Sequence, residues 1–274
     1  MIDLKILSVN SPKEIKRIKG KDYIMDNLEL KKIANEVRKG IVTGVHAAKA
    51  GHPGGSLSCA DIMTYLYFEE MNIDPKNPDK EDRDRFVLSK GHVAPALYAT
   101  LANRGYFPVE ELTTLRKLGS HLQGHPCMQH TPGVDMSSGS LGQGISVATG
   151  MEAAMFAGFK KLDNFVVIVD NNGLQIDGRI EDVCDPNPIP DKFKAFNFHV
   201  IEIDGHDFDQ IRAAFKEAKE TKGMPTAIIA KTTKGKGVSF MEDQVGWHGK
   251  APNDEQYAQA MADLEKVGEA ICQK

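Results

Sequence analysis

Three short apolar runs constrain this 274-residue chain more than anything else in it: Phe165-Val-Val-Ile-Val169, Phe198-His-Val-Ile-Glu-Ile203 and Thr226-Ala-Ile-Ile-Ala230. Each is apolar, β-rich and too short to be a helix, so each reads as a strand. Between the second and third lies an amphipathic stretch, Phe208 to Lys222, with its apolar residues at helical spacing. Strand, helix and strand at this distance predict an α/β fold, a doubly wound, mostly parallel sheet flanked by helices, with ligands at the carboxyl ends of the strands.

Upstream, Leu30, Ile33, Val37, Ile41 and Val45 predict a helix behind Asp26 that stops at Gly51-His-Pro-Gly-Gly55. Ser58-Cys-Ala-Asp61 resembles a capping box that would open a second helix. Phe86-Val-Leu-Ser89 reads as a short buried strand delivering His92, followed by helices at 94 to 104 and 109 to 118. A last helix is expected at about 254 to 272. Residues 1-25 read as an extension and 26-274 as one domain. Lys plus Arg number 34 and Asp plus Glu 38, a net charge of −4, with the basic residues scattered. That argues against a nucleic-acid partner. No apolar run reaches the roughly 18 residues of a membrane span, which argues against a membrane protein and leads us to expect a cytoplasmic one. Cys59, Cys127, Cys184 and Cys272 are too dispersed for a zinc site or a disulfide framework.

The stretch 119 to 144 holds six glycines and three histidines, and such a loop is too long to be a mere connector. Its last part, Ser138-Gly-Ser-Leu-Gly-Gln-Gly144, opens a helical pattern where backbone N–H groups could approach a diphosphate. Alone, it is equally a flexible helix entry. Asp170-Asn-Asn-Gly173 follows a strand and offers oxygen ligands to a hard cation, or is ordinary turn chemistry. Lys231-Thr-Thr-Lys-Gly-Lys-Gly237 could meet an anion or be a solvated turn. Glycine precedes His52, His92 and His125, giving close backbone access to rings that shuttle protons and bond hydroxyls.

Lys49-Ala-Gly-His-Pro-Gly-Gly55, Arg85-Phe-Val-Leu-Ser-Lys-Gly-His92, Gly124-His-Pro126, Ser138 to Gly144, Asp170 to Gly178, Ile203-Asp-Gly-His206 and Lys231 to Gly237 occur in the order and style of transketolase. The resemblance is to its N-terminal, pyrophosphate-binding half over roughly residues 28 to 260, and the length resembles the N-terminal subunit of split transketolases. It implies thiamine diphosphate with Mg²⁺ or Ca²⁺, and transfer of two-carbon ketol units between sugar phosphates. By motif, His52, His248 and His125 would be catalytic. His92, Gly139, Leu141, Asn172, Ile176 and His248 would line the cofactor, and Asn172 with the Leu174 carbonyl would hold the metal. The resemblance also implies that the partner is a transketolase C-terminal subunit, in a homo- or hetero-oligomer.

The sequence departs from that pattern at one point. The Gly-Asp-Gly that supplies the family's metal-binding Asp is absent upstream of Asn171. Gly144-Ile-Ser-Val-Ala-Thr-Gly-Met151 instead runs directly into Glu152-Ala-Ala-Met-Phe-Ala-Gly-Phe159, so one strand and two half-helices are missing and one fused helix of about 18 residues is expected. Loss of a carboxylate facing a bound cation costs roughly 2–5 kcal/mol. The expectation is a truncated cofactor site, with weak or absent cofactor binding and no ketol transfer by the chain alone. The alternatives are an active N-terminal subunit working with a separate C-terminal subunit, in which Asp170, Asp177 or a carboxylate of the partner substitutes for the missing ligand, and a histidine-based metal hydrolase.

Overall fold

The computed structural model describes residues 3–8, 11–16, 24–139 and 153–273, with backbone alone for the first two segments and for 153–155. The N-terminal extension contains an antiparallel pair, β1 (Asp3–Ser8) and β2 (Ser11–Lys16). Helix α1 (Asn27–Ala48) starts where expected, because the Asp26 carboxylate accepts from the Leu28 N–H at 3.2 Å. It buries Leu30, Ile33, Val37, Ile41 and Val45 along one side. Two short helices, α2 (Pro53–Ser58) and α3 (Ala60–Tyr65), follow, the second continuing as a π-helical turn, Leu66–Glu70. The capping box expected at Ser58 is not formed. Ser58 ends α2, with Oγ bonded to the Gly55 carbonyl and to Asp170, while Asp61 pairs with Arg38.

Residues 86–89 are extended but belong to no described ladder, so the strand expected there is a delivery segment leading to the 3₁₀ turn Gly91–Val93. Helix α4 (Ala94–Arg104) is buried throughout and ends at Gly105 in the left-handed conformation. The helix expected at 109 to 118 shortens to a 3₁₀ segment, Val109–Thr114. The fused helix appears only as α5 (Ala153–Phe159); residues 140–152 lie outside the described residues.

The sheet consists of β3 (Val166–Asn171), β4 (His199–Asp204) and β5 (Thr226–Lys231), all parallel, in the order β3-β5-β4. Between β3 and β4 lie α6 (Ile180–Val183) and α7 (Ile189–Ala195); α8 (Phe208–Glu220) links β4 to β5, and α9 (Asp254–Cys272) closes the chain. Asp207 caps α8, and Asn253 with Gln256 forms a capping box on α9.

One face of the sheet joins the main core through Val166, Ile168, Ile201, Ile203, Ile228 and Ala230. The other packs a smaller cluster of Ala157, Phe198, Ala227 and Ile229. Central β5 is buried along Thr226–Ala230, whereas all six residues of β3 are half-buried, because among the described residues β3 has a strand on one side only. Asn171 is level with Lys231, and Lys231 with Asp204, so all three strands end on one line. That alignment places the 170–173, 204–206 and 231–237 motifs side by side. Among the described residues, no helix is long and apolar enough to cross a membrane.

Helix α5 passes so close to the end of α7 that a Cβ at Gly158 would lie 2.1 Å from the Phe196 carbonyl oxygen. A backbone oxygen cannot rotate aside, so Gly158→Ala should lower unfolding stability by about 1–3 kcal/mol in a denaturant titration, despite alanine's better helix propensity.

Candidate active site

Each functional side chain is set by a turn at the carboxyl edge of the sheet or at the start of a helix. His52 immediately precedes α2, His92 occupies the 3₁₀ turn before α4, and His248 follows the turn Val245–Trp247. These turns converge. The ring centroids of His52 and His92 are 5.0 Å apart, those of His52 and His248 5.4 Å, and those of His92 and His248 5.3 Å.

Crowding of three imidazoles in a partly desolvated cleft disfavours a positive charge on any of them. Burial, followed by the neighbouring His52 and His248, brings His92 down to about 3. Burial, then Lys234 and His52, brings His248 to about 4. His52 is lowered by burial and then by His125 and Arg116. The cleft therefore presents neutral rings at neutral pH, each with one donor and one acceptor nitrogen.

His125 stands beside this trio. Its backbone carbonyl accepts from the Tyr98 hydroxyl at 3.1 Å, which ties the 123–125 loop to buried α4, and its ring is 3.5 Å from where a Cβ of Gly139 would be. Gly91 allows a close approach in the site: a Cβ there would lie 2.8 Å from the Gly139 nitrogen and from Ser138 Oγ. His92 Nδ1 and Ser138 Oγ are buried without a hydrogen-bond partner among the described residues. Orphaned polar atoms of this kind mark a place where a polar ligand fits.

Two lysines escape notice in the sequence because each sits inside a glycine motif. Lys234 is 1% exposed; its Nζ donates to the Gln175 carbonyl at 3.2 Å and to His248 Nδ1 at 3.3 Å. Burial and the nearby Lys90 lower its pKa. No ion pair involves Lys234 among the described residues, so an anion entering the cleft would meet it. Lys90 instead pairs with Asp170 and donates to the Gly55 carbonyl at 3.1 Å.

The residues expected to hold a divalent cation do not assemble a site for one. Both oxygens of Asp170 are engaged, one by Lys90 and by Ser58 at 2.6 Å, the other by Thr232. Asn172 Oδ1 accepts the Leu174 N–H at 3.2 Å in a local turn, and Asp177 is exposed. Among the described residues no three His, Cys, Asp or Glu side chains group to hold a metal. Neutral Asn172 and the Leu174 carbonyl remain, a poor set for a hard dication without a carboxylate. Ile176 is 57% exposed, and Leu141 lies outside the described residues.

The family described as transketolase, thiamine diphosphate binding domain, matches residues 30–156 and 149–266. The match is thus broken at 149–156, where Met151 meets Glu152. The 6-deoxy-6-sulfo-D-fructose transketolase subunit of Clostridium sp. (strain MSTE9) is 42% identical over 269 residues, covering 88% of this chain and 98% of the relative. That aligned span is longer than the part of this chain that enters it, so the relative carries positions with no counterpart here. An apulose-4-phosphate transketolase subunit from Phocaeicola vulgatus is 39% identical over 88% of this chain and 94% of its own length. The solved transketolase of Campylobacter jejuni superposes with a TM-score of 0.80 at 30% identity, over 90% of this chain and 46% of that one. The chain therefore spans a little under half of the solved enzyme and nearly all of the separate subunits. On the extent of these matches, the chain belongs to the transketolase family, as its N-terminal thiamine diphosphate binding domain.

Proposed function

We propose that this chain is the N-terminal subunit of a two-subunit transketolase, active only with a separate C-terminal subunit. The observation that carries the reading is the neutral histidine trio beside buried Lys234, in a chain 42% and 39% identical to relatives named as subunits and matched over nearly their full length. The comparisons thereby favour the working subunit over the remnant with a deleted site. A histidine-based metal hydrolase finds no support in the cleft, which groups no metal ligands among the described residues.

Thiamine diphosphate, when bound, would supply the carbanion chemistry that accepts a two-carbon ketol unit. Lys234 would neutralise its anionic end, and His92 with Ser138 would use their orphaned atoms on its polar groups. His52, His248 and His125 would bind and orient sugar hydroxyls. A neutral imidazole can accept a hydroxyl proton on one nitrogen while donating from the other, so these rings can move protons without prior deprotonation. Lys234 donates to His248 Nδ1, which fixes the His248 proton on Nε2 and aims that N–H away from the lysine. We further propose that Mg²⁺ contributes little here, since neither Asp170 nor Asp177 replaces the missing carboxylate. The anionic substrates of the relatives make sugar phosphates and sulfonates the class to test.

Isothermal titration with thiamine diphosphate should give binding weaker than micromolar for the chain alone, with less than about a threefold change in Kd between Mg²⁺ and EDTA. Adding a transketolase C-terminal subunit should tighten it and produce ketol transfer from xylulose 5-phosphate to ribose 5-phosphate. No transfer in that mixture would overturn the reading.

The lowered histidines also set a pH dependence. Each takes up its proton near 6.5 when unfolded and only near 4 (His248) or 3 (His92) when folded. The unfolded state therefore binds more protons between these values, and stability falls as pH drops from 6.5 toward 4. Thermal melts should show Tm declining across that window, and His248→Asn should flatten the decline.

A further inference from the structure

The Ile203-Asp-Gly-His206 motif ends β4, and the proposed chemistry does not use it. His206 is 15% exposed, with both ring nitrogens engaged: Nδ1 lies 2.7 Å from Asp61 Oδ2, and Nε2 lies 2.9 Å from the Thr233 backbone nitrogen. A backbone N–H can only donate, so Nε2 presents its lone pair and Nδ1 carries the proton, which it gives to Asp61. Asp61 is gripped in turn by the Arg38 guanidinium, with bonds of 3.1 and 2.5 Å between side chains each 8% exposed. Burial pushes the Asp61 carboxyl up, but Arg38 and His206 together outweigh it and hold it at about 2. Arg38 Nε also donates to the Lys236 carbonyl at 3.1 Å. The Arg38, Asp61 and His206 chain thus grips the lysine loop at two backbone points.

Consecutive residues of that loop point in different directions. The Thr232 hydroxyl donates to Asp170, the Thr233 N–H to His206, and Lys234 Nζ to His248. The peptide held by His206 therefore sets the direction in which Lys234 leaves the backbone. Gly205 makes the approach possible, since a Cβ there would lie 2.5 Å from Thr232 Cγ2.

We infer that His206 is a positioning residue: as the neutral Nδ1–H tautomer, backed by Asp61 and Arg38, it holds the 232–234 backbone so that Lys234 stays on His248. This deepens the proposed function and rests on it for the kinetic consequence, but the tautomer and the His248 contact stand independently of it. The test is ¹⁵N NMR of the full chain labelled at histidine. Wild-type His206 should be protonated on Nδ1 and bare on Nε2 at pH 7.5. His206→Phe keeps a ring but removes the acceptor, while His206→Gln restores a carbonyl oxygen for the Thr233 N–H. In His206→Phe the His248 proton affinity should rise at least about tenfold as Lys234 moves off, and with the second subunit kcat should fall about tenfold with KM changed less than about threefold.

His206→Gln should recover most of both. An imidazolium or an Nε2–H tautomer in the wild type would overturn the inference, and that measurement needs no variant to fold. So would an unchanged His248 titration in His206→Phe, or a Gln variant as impaired as the Phe variant. Absence of ketol transfer in every variant, wild type included, would instead count against the proposed function and leave the NMR arms to decide this one.

Discussion

The buried pairing of Asp170 with Lys90 is the contact on which the cleft depends. Asp170 comes from the end of β3, Lys90 from the segment leading to α4, Ser58 from the end of α2 and Thr232 from the loop after β5, and all meet at one carboxylate. Burial alone would push that carboxyl up, but Lys90 and the two hydroxyls outweigh it, so Asp170 stays ionised. Removing one member of such a cluster leaves a desolvated charge, at a cost of about 3–5 kcal/mol. The segments that carry His52, His92 and Lys234 are thus held to the end of β3 by electrostatics, while the apolar core sets only their approximate distance.

The same contact limits the chemistry. A carboxylate that already accepts three donors has little lone-pair capacity left for a cation, and a lysine alongside repels one. Asp170 therefore works as a structural hub and leaves Asn172 and Leu174 without an anionic co-ligand. In the proposed function, the positive charge for an incoming diphosphate would come from Lys234. A buried ammonium beside neutral imidazoles is a weaker clamp than a bridging dication, since it offers one charge and three donors from a flexible stem. Positional control of that stem consequently matters more here, which is why the Arg38, Asp61 and His206 chain lies directly beneath the loop.

Much of this was legible in the sequence, for identifiable reasons. The sheet strands and the helices behind Asp26, Asp207 and Asn253 are announced by strict periodicity and by caps that act locally, and they fold where expected. Glycine-flanked motifs at strand and helix ends pointed to His52, His92 and His125, and His248 entered through the family resemblance. What stayed hidden depends on contacts distant in sequence. Ser58 and Asp61 look like a local cap, but Asp170 and Arg38 claim their side chains from 112 and 23 residues away. Phe86 to Ser89 has a strand's composition but joins no ladder among the described residues, and Lys90 and Lys234 look like surface charges until the fold encloses them.

The missing segment shows its effect most clearly at β3. A central strand in a doubly wound sheet is covered on both faces and paired on both edges, as β5 is here. Val166-Val-Ile-Val169 has the composition of such a strand, with no lysine, proline or bulge to protect an edge, yet every one of its residues is only half-buried. Its sequence therefore fits a two-sided environment, while the described structure gives it one. The family match is in two parts that overlap at 149–156, at the entry to α5, and the aligned span of one relative is longer than the part of this chain that enters it. Both observations fall in the same neighbourhood of the chain, the entry to α5 and β3. Asn172 and Leu174 follow β3 directly, so the strand that has a neighbour on one side only among the described residues also ends in a turn that no described carboxylate joins.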